Sequence, residues 1–109
     1  MTPLEQIAEA RKEAKQIVDI ADHLDKLRKN RSFKAVFDDY ILKEVPLQAA
    51  GMYKRPGSSD TAQQSLEGVL TMVSMLNLTL STIYNKAAQA EVTLKEIDEA
   101  EAEYLAEGE

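Results

Sequence analysis

The 109-residue chain has no cysteine and no tryptophan, one histidine, three prolines and four glycines. Without cysteine it can form no disulfide, thiolate metal site or cysteine nucleophile, which fits a reducing compartment. The start Met1-Thr2-Pro3-Leu4-Glu5 has no basic segment before an apolar run, so no secretory signal peptide is expected there. A Gly-rich phosphate loop is missing, as are Ser-His-Asp and nucleophile-elbow patterns. The single His23, between Asp22 and Asp25, reads as a solvated residue of a charged helix rather than an acid–base catalyst. Carboxylates at Glu96, Asp98, Glu99, Glu101 and Glu103 lack the histidines of a carboxylate metal site. No enzyme, cofactor, metal or small-molecule substrate is therefore expected. The net charge of −6 argues against a nucleic-acid surface.

What is present is helix-forming sequence rich in Ala, Leu, Glu and Lys, long enough for one domain over residues 1–109. Thr2 suits an N-cap, Pro3 the first helical position, and Glu5 completes a capping box. Nothing interrupts the helix until Asn30. Ile7, Ala14 and Ala21 interleave with Ala10, Ile17 and Leu24 as a heptad seam, which Leu4, Val18 and Leu27 widen. Asn30 or Ser32 can cap a second helix whose apolar face is Phe33, Val36, Phe37, Tyr40 and Ile41. Pro46 is expected to end or kink that helix and to bias Val45 away from helical angles. A short further turn over Leu47–Tyr53 leads to the clearest loop, Tyr53–Ser59.

The chain is organised around the helix that follows. Ser58, Ser59 or Asp60 can start it, and no proline follows. One face carries Leu66, Val69, Val73, Leu76, Leu80 and Ile83; a second carries Met72, Met75 and Leu78. A helix apolar on more than one side is buried centrally, packed on other subunits, or in a membrane. Residues 68–84 are 17 uncharged residues, the bottom of the spanning range, but they contain several Ser, Thr and Asn and lack basic flanks. Residues 77–83 also alternate as a strand would, with no partner strand elsewhere. Beyond Ala90 the helix turns acidic, and residues 91–109 are expected to fray after about Ala102, because the helix dipole disfavours acids at a C-terminus.

Charge is unevenly placed: residues 1–58 carry +2 and residues 59–109 carry −8. The basic excess is focused in Lys26, Arg28, Lys29, Arg31 and Lys34. This block is a candidate partner for the acidic 91–109 segment, within one chain or between chains, or for another protein.

The pattern Leu24-x-x-Leu27-x-x-Asn30-x-x-Phe33, then Tyr40-Ile41-Leu42-Lys43-Glu44, then a Gln63-Gln64 helix start with an apolar run and a Glu-rich end, resembles small acidic helical proteins of tailed bacteriophages encoded near head and packaging genes. The likeness covers about Leu24 to Glu103. It implies a virion component or assembly factor made in the bacterial host cytoplasm, with no catalytic motif.

These readings give an all-α fold: a helical hairpin or three-helix arrangement with long helices over about 3–29 and 59–103 and a shorter one over about 32–45. Phe33, Phe37, Tyr40, Leu66, Val69, Val73, Leu76, Leu80 and Ile83 are expected to carry its packing. Met72, Met75 and Leu78 are the expected face for partners, either copies of the chain or phage structural proteins. The alternatives are an acidic inhibitor that mimics DNA through Glu91–Glu109, and a small membrane lysis protein.

Overall fold

A computed structural model describes residues 2–53 and 55–108. The fold is all-α: α1 (Pro3–Lys29), α2 (Arg31–Lys34), a π-helical segment (Ala35–Glu44), α3 (Val45–Met52) and α4 (Asp60–Glu107). Among the described residues there is no strand, so residues 77–83 are helical despite their alternation. The helix starts obey local chemistry. Thr2 Oγ1 accepts from the Glu5 N–H at 3.1 Å, Asn30 Oδ1 from the Phe33 N–H at 3.0 Å, and Ser59 Oγ from the Ala62 N–H at 3.1 Å. Each satisfies a donor that the first helical turn leaves without a carbonyl. Between α3 and α4 the Ser58 N–H donates to the Arg55 carbonyl, closing a turn with Pro56 and Gly57 at its centre. Gly57 has φ 83°, the left-handed value that the second central position of a type II turn demands.

The chain divides into two compact units, one of Met1–Leu24 with Thr82–Glu109, the other Asp25–Ser81. The first is an antiparallel hairpin of α1 against the C-terminal half of α4. Ile17 and Ile20 line a groove with Ile83 and Lys86, while Arg11 reaches Asp98 and Glu101, so numbers rise on one helix as they fall on the other. Its buried residues are alanines: Ala14, Ala21, Ala87 and Ala90. Half-buried Ile83, Leu94, Ile97 and Glu101 continue the α4 seam at alternating three- and four-residue steps. On α1 the inward residues are Ile7, Arg11, Ala14, Val18 and Ala21, with Ala10 and Leu24 half-buried beside them. Ile17, expected in the seam, is instead among the exposed hydrophobic residues, at the rim of a groove with Ala10, Ala14 and Ala90. Alanine seams leave little room between backbones, so a branched four-carbon side chain is accommodated beside them rather than between them.

Arg11 closes this hairpin. Its guanidinium lies 3.0 Å from Asp98 and 2.8 Å from Glu101, and hydrogen bonds to those carboxylates, Glu101 first, hold its pKa above the ordinary arginine value. The helix continues past Ala102 to Glu107.

The second unit holds the departure from sequence expectation. Pro46 does not end the helix: Val45 has φ −58° and ψ −51°, and helical structure continues to Met52. The middle helical run therefore extends beyond the expected 32–45. The Val45 N–H donates to the Tyr40 carbonyl, five residues back. Pro46 cannot donate, and in an α-helix its ring would press on the carbonyl four residues earlier. The wider i→i+5 turns just before it supply a register in which that demand is relaxed. The same turns rotate the side chains. At α-helical spacing Tyr40 would share a face with Phe33 and Phe37. In the structure Tyr40 is 53% exposed, while Ile41 and Leu42 are half-buried. Tyr40 is thus removed from the expected packing set. Phe33 and Phe37 remain in it, half-buried and stacked with ring centroids 5.1 Å apart. Ala49 and Val73 are the buried members of this unit, with Leu66, Val69, Leu76 and Leu80 half-buried along α4.

Candidate protein-interaction face

No side chain among the described residues is more than 98% buried, and the buried set holds nothing larger than Val73. Large apolar side chains are therefore concentrated at or near the surface, and on α4 they form a band. Met72 is 47% exposed, Met75 63% and Leu78 67%. Their spacing, with Thr71 and Thr79, keeps them on one side of the helix, away from Val69 and Val73, with Leu76 at its edge. Shallow grooves along this side are lined by Gly68, Thr71, Met72, Met75, Leu76 and Thr79, and by Leu70, Thr71, Ser74, Met75 and Leu78.

Two details make the band suited to a dry contact. The Thr79 hydroxyl donates to the Met75 carbonyl at 2.8 Å, so its hydrogen bond is made within the helix and its methyl remains for packing. A Cβ placed on Gly68 would meet nothing within 4 Å, so another backbone can come close there. Methionine adds unbranched side chains that adapt to an irregular partner. The charge-free run also makes α4 long and apolar enough to cross a bilayer by length and composition, with 6% of the relevant 18-residue window buried.

The basic block lies at the end of α1 and on α2. Lys26, Lys29, Arg31 and Lys34 are exposed. Arg28 turns inward: its Nε lies 3.1 and 3.3 Å from the two Asp38 oxygens, with side chains 30% and 19% exposed. The acidic block supplies Asp98 and Glu101 to Arg11, while Glu91, Glu96, Glu99, Glu103 and Glu107 are exposed. His23 is exposed, and no cluster of three or more His, Asp or Glu side chains that could hold a metal occurs among the described residues.

Leu4, Leu27 and Val36, expected on apolar faces, are exposed. Exposed apolar residues that spacing did not place on a face are Leu47 and Met52 in the second unit and Ile20, Val92, Tyr104 and Leu105 in the first. Ile20 and Val92 fall outside the three-four seams of their helices, a signal readable from spacing alone. Val36 lies within the π-helical segment and Leu47 just after it, where α-helical spacing does not report the register. Tyr53 was not singled out either. Its hydroxyl donates to Glu67 Oε1, tying the end of α3 to α4.

No protein-family model, curated protein or solved structure matches the chain. The arrangement defines it as an all-α chain with an exposed apolar helix face.

Proposed function

We propose that this chain is a non-catalytic assembly protein that works through helix–helix contacts, with the α4 face of Met72, Met75 and Leu78 as its docking surface. The carrying observation is the exposure of those three side chains on an uncharged helix. Fully burying a Leu or Met side chain is worth about 1.5–3 kcal/mol. Scaled by the exposures of 47%, 63% and 67%, the three together offer about 3–5 kcal/mol when a partner covers them. That is a meaningful share of a protein–protein contact, whose hot spots are few and central. The likeness to small acidic phage proteins supports a contact within a virion or during head or tail assembly, with synthesis in the bacterial cytoplasm. The exposed basic residues Lys26, Lys29, Arg31 and Lys34 offer a separate charged surface through which a partner is oriented.

A membrane reading is favoured by one observation, the low burial of the apolar window. Against it stand Thr71, Ser74, Asn77, Thr79 and Ser81 in that window, and the other side of the same helix, which already packs through Val73, Leu76 and Leu80. The acidic-inhibitor reading draws on the exposed Glu91, Glu96, Glu99, Glu103 and Glu107. Mass spectrometry of purified particles separates the three. Assembly predicts the chain, or its cross-linked partner, among particle proteins or their precursors. Recovery only in the membrane fraction, or only with a host enzyme, would reject it.

A further inference from the structure

We infer that the occupant of the Met72–Met75–Leu78 face is a second copy of this chain, paired antiparallel about a two-fold axis at Met75. The inference rests on α4 being an assembly element and adds the identity and direction of the partner. The face is self-complementary when read both ways along the helix. Thr71 and Thr79 lie four positions either side of Met75, and Met72 and Leu78 three positions either side. Antiparallel pairing therefore sets Thr opposite Thr, Met72 opposite Leu78, and Met75 on its own copy. Threonines then share a level with threonines and large side chains with large ones, so each copy offers the other the same row of ridges and grooves.

Charge points the same way. Residues 68–81 carry no charge, so self-pairing brings no like charges into the contact. A parallel pair would set Asp60 and Glu67 each beside its own copy. The antiparallel pair separates the two Glu67 residues by 16 helical positions, about 24 Å. The same patch is buried on both copies of an isologous pair, so its contribution counts twice. The three side chains of one copy offer less than association commonly costs, whereas two sets exceed the lower end of that cost. The expected dimer is weak, roughly tens of micromolar at the tightest.

The absence of cysteine makes the test direct, since any disulfide must come from an introduced residue. Wild type and Met75→Lys are compared by sedimentation equilibrium. Wild type should dimerise with concentration, and the variant should weaken the dimer by roughly 30-fold or more. Met75 is exposed, so the variant should keep wild-type circular dichroism, and Leu78→Glu provides a second disruption. Direction is read by mixing T71C with T79C. The mixture should cross-link, whereas T71C alone should not, because residue 71 lies four positions from the axis and its two copies are therefore eight positions apart, about 12 Å, beyond the roughly 7 Å reach of a disulfide. Self-linking of T71C, a strictly monomeric wild type, or flotation of wild type with phosphatidylglycerol vesicles would overturn the inference. A monomer still retained in purified particles would overturn the self-pairing and leave the assembly reading standing. A dimer of the expected direction that never enters an assembly would support the pairing and reject that reading.

Discussion

Replacing Ala90 with Leu perturbs the hairpin unit where it is tightest. Ala90 is 5% exposed and belongs with Ala14, Ala21 and Ala87 to the buried part of the seam, which is all alanine. Leucine adds three carbons at this close approach, and the only room beside it is the groove along Ala10, Ala14 and Ile17. The helices must separate or the side chain must leave its favoured rotamer, which costs about 1–3 kcal/mol. Helix propensity offers little compensation, since Ala and Leu are both strong formers. At about 4–8 °C per kcal/mol for a domain of this size, the melting temperature should fall by about 4–24 °C. Ala88, two residues earlier on the same helix and exposed, is the control. Ala88→Leu makes the same chemical change without meeting the seam and should shift melting by less than about 0.5 kcal/mol equivalent. Thermal melts followed by far-UV circular dichroism compare the two. Equal melting temperatures, or a more stable Ala90→Leu, would refute a tight alanine seam.

Three further outcomes follow. The hydrogen bond to Glu67, then desolvation, raises the Tyr53 pKa above 10, so the contact stabilises the fold fully below the unfolded tyrosine value and is lost as pH rises through the folded one. In a background with the other tyrosines changed to Phe, ultraviolet tyrosinate absorbance should show Tyr53 ionising above pH 10 and moving down in Glu67→Ala. Pro46→Ala restores a backbone donor and should let residues 35–44 move toward α-helical register, turning Tyr40 onto the Phe33–Phe37 face; acrylamide quenching of Tyr40 emission should then fall, and unchanged quenching would reject Pro46 as the cause of the π-helical turns. Asp38→Ala strips Arg28 of its half-buried carboxylate and should cost about 1–2 kcal/mol in urea unfolding, a partial value because both groups retain some solvent.

The long helices, their caps and the loop were legible because each rests on local chemistry: Thr2, Asn30 and Ser59 for starts, Pro56-Gly57 for the turn, periodic apolar residues between. The seam was legible in composition and not in angle. Ala14 and Ala21 of the first helix were named and Ala90 of the last was not, and whether Ile17 or Val18 faces inward depends on a rotation of a few tens of degrees that only the partner helix sets. Pro46 misled because the rule that proline breaks helices assumes α-helical bonding upstream, and Tyr40 misled for the same reason. The pairing of Arg11 with Asp98 and Glu101 spans about ninety residues of sequence, and no local pattern announces it. The band of Met72, Met75 and Leu78 was legible because a helix with a second apolar face has more apolar surface than one packing stripe uses.

The central claim, that this band meets protein, is tested most directly by a photo-crosslinking residue at position 75 in cells that make the chain, with the same residue at position 88 as control. The account expects a discrete protein adduct from position 75, including one with a second copy of the chain, and none of comparable yield from position 88. Adducts with lipid, or a yield at 75 no greater than at 88, would contradict it.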